Sequence, residues 1–296
     1  MSTFRGLGVA MVTPFNADLS IDFKGLQRLT EHLISNGVDY LVVQGTTGES
    51  ATLSNDERRS ILDFILEVNA GRRKVVFGIG GNNTMGVVHT LKTWDLSGVD
   101  GILSVSPYYN KPTQEGIFQH YTHVAGATDL PIILYNVPGR TASNVSADTT
   151  LRLAKACANI VAVKEASGNF EQISSIIQNK PEGFEVISGD DGITLPLISA
   201  GADGVISVVG NAFPAEFSAL VHHALSGNIG PAQEEHYRLA ELITGLFEEG
   251  NPAGIKACLK HASICGDTVR LPLVKASDKL SDKLYQLMTK NALVKA

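Results

Sequence analysis

Short apolar runs rich in β-branched residues alternate along the chain with longer stretches of helical period, as in successive βαβ units around a parallel sheet. The runs fall at 8–13, 40–44, 74–79, 101–106, 131–135, 160–164, 185–188 and 204–208, which is the strand count of a closed barrel. Most are apolar throughout, as in Leu41-Val42-Val43 and Ile132-Ile133-Leu134, so both faces must be covered. A weak internal repeat supports the same reading. Gly37-Val38-Asp39, Gly98-Val99-Asp100 and Gly201-Ala202-Asp203 each precede a strand, with a glycine able to take the left-handed conformation that closes the helix before it.

Beyond the last strand, 214–226, 231–248, 252–263 and 278–293 have helical period, with Pro214, Pro231 and Pro252 near expected N-terminal turns. The expected fold is α/β, a (β/α)8 TIM barrel over residues 1–225 that carries the active site. A C-terminal helical extension over 226–296 packs on it. No Gly/Ser-rich or charged linker divides the two parts.

Composition narrows the class. The 296 residues are 44% hydrophobic and 18% charged, ample for a large core. A formal net charge of -6, from 24 basic and 30 acidic residues without a long like-charge run, argues against a nucleic-acid or anionic-membrane partner. The N-terminus lacks an apolar signal region, and no segment approaches the roughly 20 apolar residues that span a bilayer. The expectation is a cytoplasmic protein acting on small solutes. Cys157, Cys258 and Cys265 are odd in number and lack C-x-x-C spacing, which fits buried thiols better than disulfides or zinc. The eight histidines show no ligand spacing, so neither a metal nor another cofactor is expected.

Lys164 ends the run Ile160-Val161-Ala162-Val163. Burying an ammonium without a partner is costly, and a desolvated site favours the neutral, nucleophilic amine that a Schiff base requires. The plainer alternative is an ion pair with Glu165 at the barrel rim. The preceding strand ends in Tyr135, and Arg140 follows on its loop, placing a phenol and a carboxylate-binding cation beside the lysine's strand. Each alone fits a core tyrosine or a solvated arginine, and only their convergence with Lys164 suggests a site. Gly45-Thr46-Thr47-Gly48-Glu49, after the second strand, supplies two hydroxyls and exposed amides suited to a carboxylate, or else forms an ordinary turn into a helix capped by Ser54. Tyr108-Tyr109, on a proline-bounded loop, reads as an aromatic surface that is packed or shared between subunits. Gly78-Ile79-Gly80-Gly81 lacks phosphate-loop spacing, and Asp190-Asp191 after the seventh strand would repel phosphate.

Taken in order, Gly45–Glu49, Pro107-Tyr108-Tyr109-Asn110-Lys111-Pro112, Tyr135–Thr141, Lys164-Glu165-Ala166-Ser167-Gly168 and Ser188-Gly189-Asp190-Asp191 closely resemble the dihydrodipicolinate synthase family of pyruvate-dependent aldolases. The likeness continues through Pro252–Lys256 and Asp267–Pro272. It implies that Lys164 forms an imine with pyruvate and that Tyr135 passes the protons. Thr46 would link Tyr135 to Tyr109, the second tyrosine coming from a neighbouring subunit. Thr47 and the backbone at Ile206 would hold the pyruvate carboxylate, Gly189 would lie beside the substrate, and Arg140 would receive the carboxylate of aspartate semialdehyde. The product would be 4-hydroxy-tetrahydrodipicolinate, on the route to diaminopimelate and lysine, and the assembly a homotetramer built from dimers.

One departure stands out. Lysine-inhibited relatives use imidazole and carboxylate groups where this chain has Asn55, Arg58 and Gly86, so lysine feedback is expected to be weak or absent. Two other functions remain open at this point. A sugar-acid lyase of the same family, such as N-acetylneuraminate lyase, would share Lys164 and Tyr135, but not the requirement for Arg140 and Thr46-Thr47. A barrel with a purely binding or regulatory role would not need the full lysine, tyrosine and threonine set.

Overall fold

Alternation along each strand divides the apolar residues between two separate cores. In a computed structural model describing residues 3–294, Ala10, Val42, Val76, Leu103, Ile133, Tyr135, Ala162, Ile187 and Ile206 form one cluster. Their strand neighbours Val9, Leu41, Val43, Val75, Phe77, Ile102, Leu134, Val163, Val186 and Val205 join a second cluster with the helices. The first is the interior of a closed barrel, and the second is the layer between its wall and the surrounding helices.

The wall comprises β1 (Gly6–Ala10), β2 (Tyr40–Val43), β3 (Lys74–Gly78), β4 (Gly101–Val105), β5 (Ile132–Asn136), β6 (Ile160–Glu165), β7 (Glu185–Ser188) and β8 (Gly204–Ser207). Each strand pairs in parallel with the next, and β8 closes on β1 with Gly8 opposite Ile206. Tyr135 of β5 is opposite Lys164 of β6, and Lys164 is opposite Ile187 of β7.

The repeated Gly-x-Asp turn does more than end a helix. Gly37, Gly98 and Gly201 take φ of 87°, 83° and 108°. The aspartate that follows grips the start of the preceding strand: Asp39 accepts from the Leu7 amide at 2.7 Å, Asp100 from Val75 at 2.8 Å and Asp203 from Val186 at 2.9 Å. Each aspartate amide also donates to the carbonyl of that same residue. Strands β2, β4 and β8 are therefore tied to their neighbours before the ladder begins.

Strand β1 starts earlier than its hydrophobicity suggests and ends sooner. Gly6 resembles a turn residue in the sequence, whereas Gly8 heads the expected run; a Cβ on Gly8 would stand 2.2 Å from the Tyr40 ring, so glycine there permits close packing. Beyond Ala10 the chain turns away, with the Val12 amide donating to Asn211 at 3.0 Å and the Thr13 hydroxyl to the Gly48 carbonyl at 2.7 Å.

Helix Pro214–Leu225 closes the last unit, with its proline at the first turn. Helices Ile229–Leu246, Ala253–His261 and Asp278–Lys290 follow, and Leu239, Leu242, Leu246, Leu284 and Met288 join the outer core. All three cysteines are buried and free, and burial pushes the Cys258 and Cys265 thiols up to about 12. No helix among the described residues is long and apolar enough to cross a membrane.

Candidate active site

Lys164 and Tyr135 face inward at the C-terminal end of the barrel, where barrel sites form from strand ends and the loops that follow. The amine of Lys164 lies 4.4 Å from the centre of the Tyr135 ring, and the lysine is only 5% exposed. No carboxylate pairs with it among the described residues. Glu165, the alternative partner, points to the opposite face of the strand. There it accepts hydrogen bonds from Asn136, from Ser167 at 2.7 Å and from Gln172. Burial raises the Glu165 pKa, and these donors oppose the shift. Asn136 also accepts from the Val145 amide at 2.9 Å, so the outward residues of β5 and β6 lock together the strand ends that aim Tyr135 and Lys164 inward.

A cleft of about 550 Å3 opens above these residues, with Gly45, Thr46, Tyr135, Val137 and Arg140 in its lining. Arg140 stands on a short helical turn, Pro138–Thr141, fixed by the Thr141 hydroxyl to the carbonyls of Val137 and Ser143. The guanidinium is exposed and without an acidic partner among the described residues, leaving both edges of its fork for a carboxylate. Lys164 is absent from the lining and adjoins the cleft through the Tyr135 ring.

Gly189 follows β7 beside the lysine. A Cβ there would lie 2.6 Å from the Ala166 Cβ and 3.1 Å from the Lys164 Cε, so only glycine leaves the amine its room. Ile206, on β8, is buried in the interior cluster with Tyr135 and Val137. The loop after it is held by Asp191, which accepts from the Val208 amide at 3.0 Å and from Val209 at 2.7 Å. Burial pushes the Asp191 carboxyl up to about 6 despite these bonds.

Thr46 and Thr47 occupy a single 3-10 turn, Thr46–Gly48, after β2. Thr47 is buried and accepts a hydrogen bond from the Asn251 side chain at 2.9 Å, whereas Thr46 faces the cleft. Neither Thr46 nor the Tyr135 hydroxyl has a side-chain hydrogen bond among the described residues. Tyr109 is 89% exposed and outside the cleft lining, while its neighbour Tyr108 is within it. Within one chain, then, Thr46, Tyr135 and Arg140 line one cleft, and Lys164 and Gly189 adjoin Tyr135. Thr47 reaches the lining through Asn251, and Tyr109 stands apart. Sequence reasoning misses Asn251, whose partner is 204 residues away, and reads Asp191 only as a charge after a strand, because the amides it holds are 17 and 18 residues away.

A closed eight-stranded barrel presenting a buried lysine against a phenol, with a free arginine at the mouth, defines a lyase of the barrel type. Residues 3–291 match the Dihydrodipicolinate synthetase family, and the chain belongs to it. It is 53% identical over 290 residues to the 4-hydroxy-tetrahydrodipicolinate synthase of Flavobacterium psychrophilum, covering 98% of this chain and 99% of that one. The crystal structure of dihydrodipicolinate synthase from Aquifex aeolicus superposes with a TM-score of 0.94 at 43% identity, covering 98% and 99% of the two chains. That of the chloride-inhibited enzyme from Acinetobacter baumannii, complexed with pyruvate, does so at 0.95 and 37% identity, covering 99% and 100%.

Proposed function

We propose that this chain condenses pyruvate with aspartate semialdehyde to give 4-hydroxy-tetrahydrodipicolinate, as its relatives' names describe for them. The neutral amine of Lys164 attacks the ketone carbon of pyruvate, and loss of water leaves a protonated imine. That imine is an electron sink, so a methyl proton can leave and form an enamine without a metal or organic cofactor. The enamine carbon then bonds to the aldehyde carbon of the second substrate. Attack by that substrate's own amino group on the imine carbon closes the ring and releases Lys164.

Tyr135 serves these proton transfers from beside the amine, 4.4 Å from ring centre to Nζ, and this contact is the observation that carries the proposal. Thr46 relays protons toward Tyr109. Thr47 and the backbone at Ile206 hold the pyruvate carboxylate beside Gly189, and Arg140 takes the carboxylate of the semialdehyde. A tyrosine that is 89% exposed in one chain fits a relay completed across a subunit interface, and the homotetramer built from dimers is the assembly that the family resemblance implies. We take residues 1–225 as the barrel and 226–296 as an extension folding with it, in a cytoplasmic enzyme of lysine and diaminopimelate synthesis. Borohydride reduction with pyruvate tests the covalent step by intact mass. The protein should gain one reduced pyruvate adduct, and Lys164→Ala should gain none. An unmodified native protein, or equal labelling of the variant, ends the reading.

A further inference from the structure

The C-terminal extension reaches across the barrel mouth into the turn that carries Thr46 and Thr47, and it does so through buried polar groups. Asn251 donates to the Thr47 hydroxyl at 2.9 Å. A hydroxyl that accepts there must direct its own proton elsewhere, so the contact also sets the direction in which Thr47 can donate. Two residues on, Glu49 has a left-handed backbone, φ 54°, unusual for a residue with a side chain. Both its carboxylate oxygens are taken by the extension: the Lys256 amine at 2.5 Å and the Arg270 amide at 3.0 Å.

The side chains of Lys256 and Glu49 are both 0% exposed, and the lysine donates further to the Thr268 carbonyl at 2.8 Å. Arg270 continues the connection to Glu57 in the following helix, and the Lys256 amine and the Arg270 guanidinium each lie 4.4 Å from the centre of the Phe15 ring. A buried ion pair is a poor device for stability, because desolvating two charges offsets most of their attraction and well-packed apolar residues do as well. Its specific product is geometry. A strained turn persists only where its surroundings over-determine it, and here those surroundings are the extension.

We propose that Lys256 and Glu49 are positioning residues for the reaction, holding the Thr46–Thr47 turn in the geometry that receives pyruvate. The extension is thereby part of the active-site apparatus. This rests on the function proposed above, with Thr47 as the carboxylate partner of pyruvate.

The test pairs Glu49→Gln with Lys256→Met, removing both charges while keeping volume and leaving no unpaired ion. Native protein is first shown to trap pyruvate with borohydride; failure at that point counts against the function, not against this inference. The double variant, folded by circular dichroism with a cooperative melt, should show a pyruvate KM raised at least tenfold. The semialdehyde KM should stay within twofold, because the turn bearing Arg140 is untouched. A folded variant with pyruvate KM and kcat both within twofold of native overturns the proposal. Hydrogen exchange on the native protein gives an answer even if the variant does not fold. Trapped pyruvate should slow exchange over 253–270 together with 44–50, and unchanged exchange over 253–270 while 44–50 slows overturns the coupling.

Discussion

Tyr135 and Lys164 are direct register partners on adjacent parallel strands, and the lysine amine sits 4.4 Å from the centre of the phenol ring. In a barrel wall, register partners face the same side, so this pair is set by the ladder itself and not by a mobile loop. Removing the hydroxyl should therefore affect chemistry without moving the amine. Tyr135→Phe is expected to lower kcat by about 10²–10⁴, the usual worth of a positioned proton donor. Borohydride trapping should still occur, more slowly. Loss of trapping altogether would mean that the ring, and not its hydroxyl, is what the lysine requires.

In the proposed reaction Arg140 receives the other substrate. Its exposed fork lines the cleft with no carboxylate paired to it among the described residues. Arg140→Ala should raise the semialdehyde KM by at least tenfold while leaving pyruvate trapping at native extent. Equal damage to both substrates would place the arginine in a general electrostatic role.

Gly189 offers a purely steric test. With a Cβ 2.6 Å from Ala166 and 3.1 Å from the Lys164 Cε, Gly189→Ala must displace either the backbone or the lysine. A shift of this size at a reacting atom costs about 10²-fold in rate. Steady-state kinetics on a variant with an unchanged melting temperature would isolate the effect, and native kcat would show that the lysine has slack.

These residues also divide into what the sequence reveals and what it hides. Lys164 is legible because a cation ending a run of Ile and Val has few explanations, and Tyr135 and Arg140 because one strand end carries both. The barrel is legible from eight runs, most of them apolar on both faces. The ends of β1 are not, since Gly6 serves packing against Asp39 at another strand's start and the chain turns away after Ala10. Nor is the Glu49 to Lys256 pair, whose members are 207 residues apart and look like two surface charges until the chain is folded. Asp100 gives an intermediate case: its repeat is visible in the sequence, but its task of gripping the preceding strand is not.

That task is measurable. Asp100→Ala leaves the buried Val75 amide without its 2.8 Å partner. A buried donor left unsatisfied costs about 1–3 kcal/mol. Denaturant titration should show that loss with pyruvate trapping intact, because the contact lies at the end of the barrel opposite the site. A variant as stable as the native chain would make the Gly-x-Asp repeat a turn signal only.

Lysine should be a poor effector. Arg58 is already committed, donating to Gln44 at 2.8 Å and to the Gly78 carbonyl at 2.9 Å and packing over Trp94. Gly86 exposes no acid at the first turn of its helix, Thr84–Thr93. Among the described residues an incoming ammonium finds the Arg58 guanidinium, while Glu49, a carboxylate lining the same cleft, is already taken by Lys256 and the Arg270 amide. Rates measured across millimolar lysine should stay within twofold, and half-inhibition at or below a few millimolar would overturn this.

Asp191 should leave a mark on the pH dependence of stability. Its folded pKa of about 6 lies above the ordinary 3.8, because burial outweighs its bonds to the Val208 and Val209 amides. Between roughly pH 4 and 6 the folded chain keeps a proton that the unfolded chain has released, so this group's contribution falls as pH rises through that window and is constant above it. A shift of about two units corresponds to roughly 3 kcal/mol. Asp191→Asn cannot titrate. Compared with the native chain by denaturant midpoints, it should gain in relative stability from pH 4 to 6 and then run parallel from pH 7 to 8. Parallel curves over the whole range would mean that the carboxylate is ionised in the fold at every pH tested, its amide partners outweighing burial.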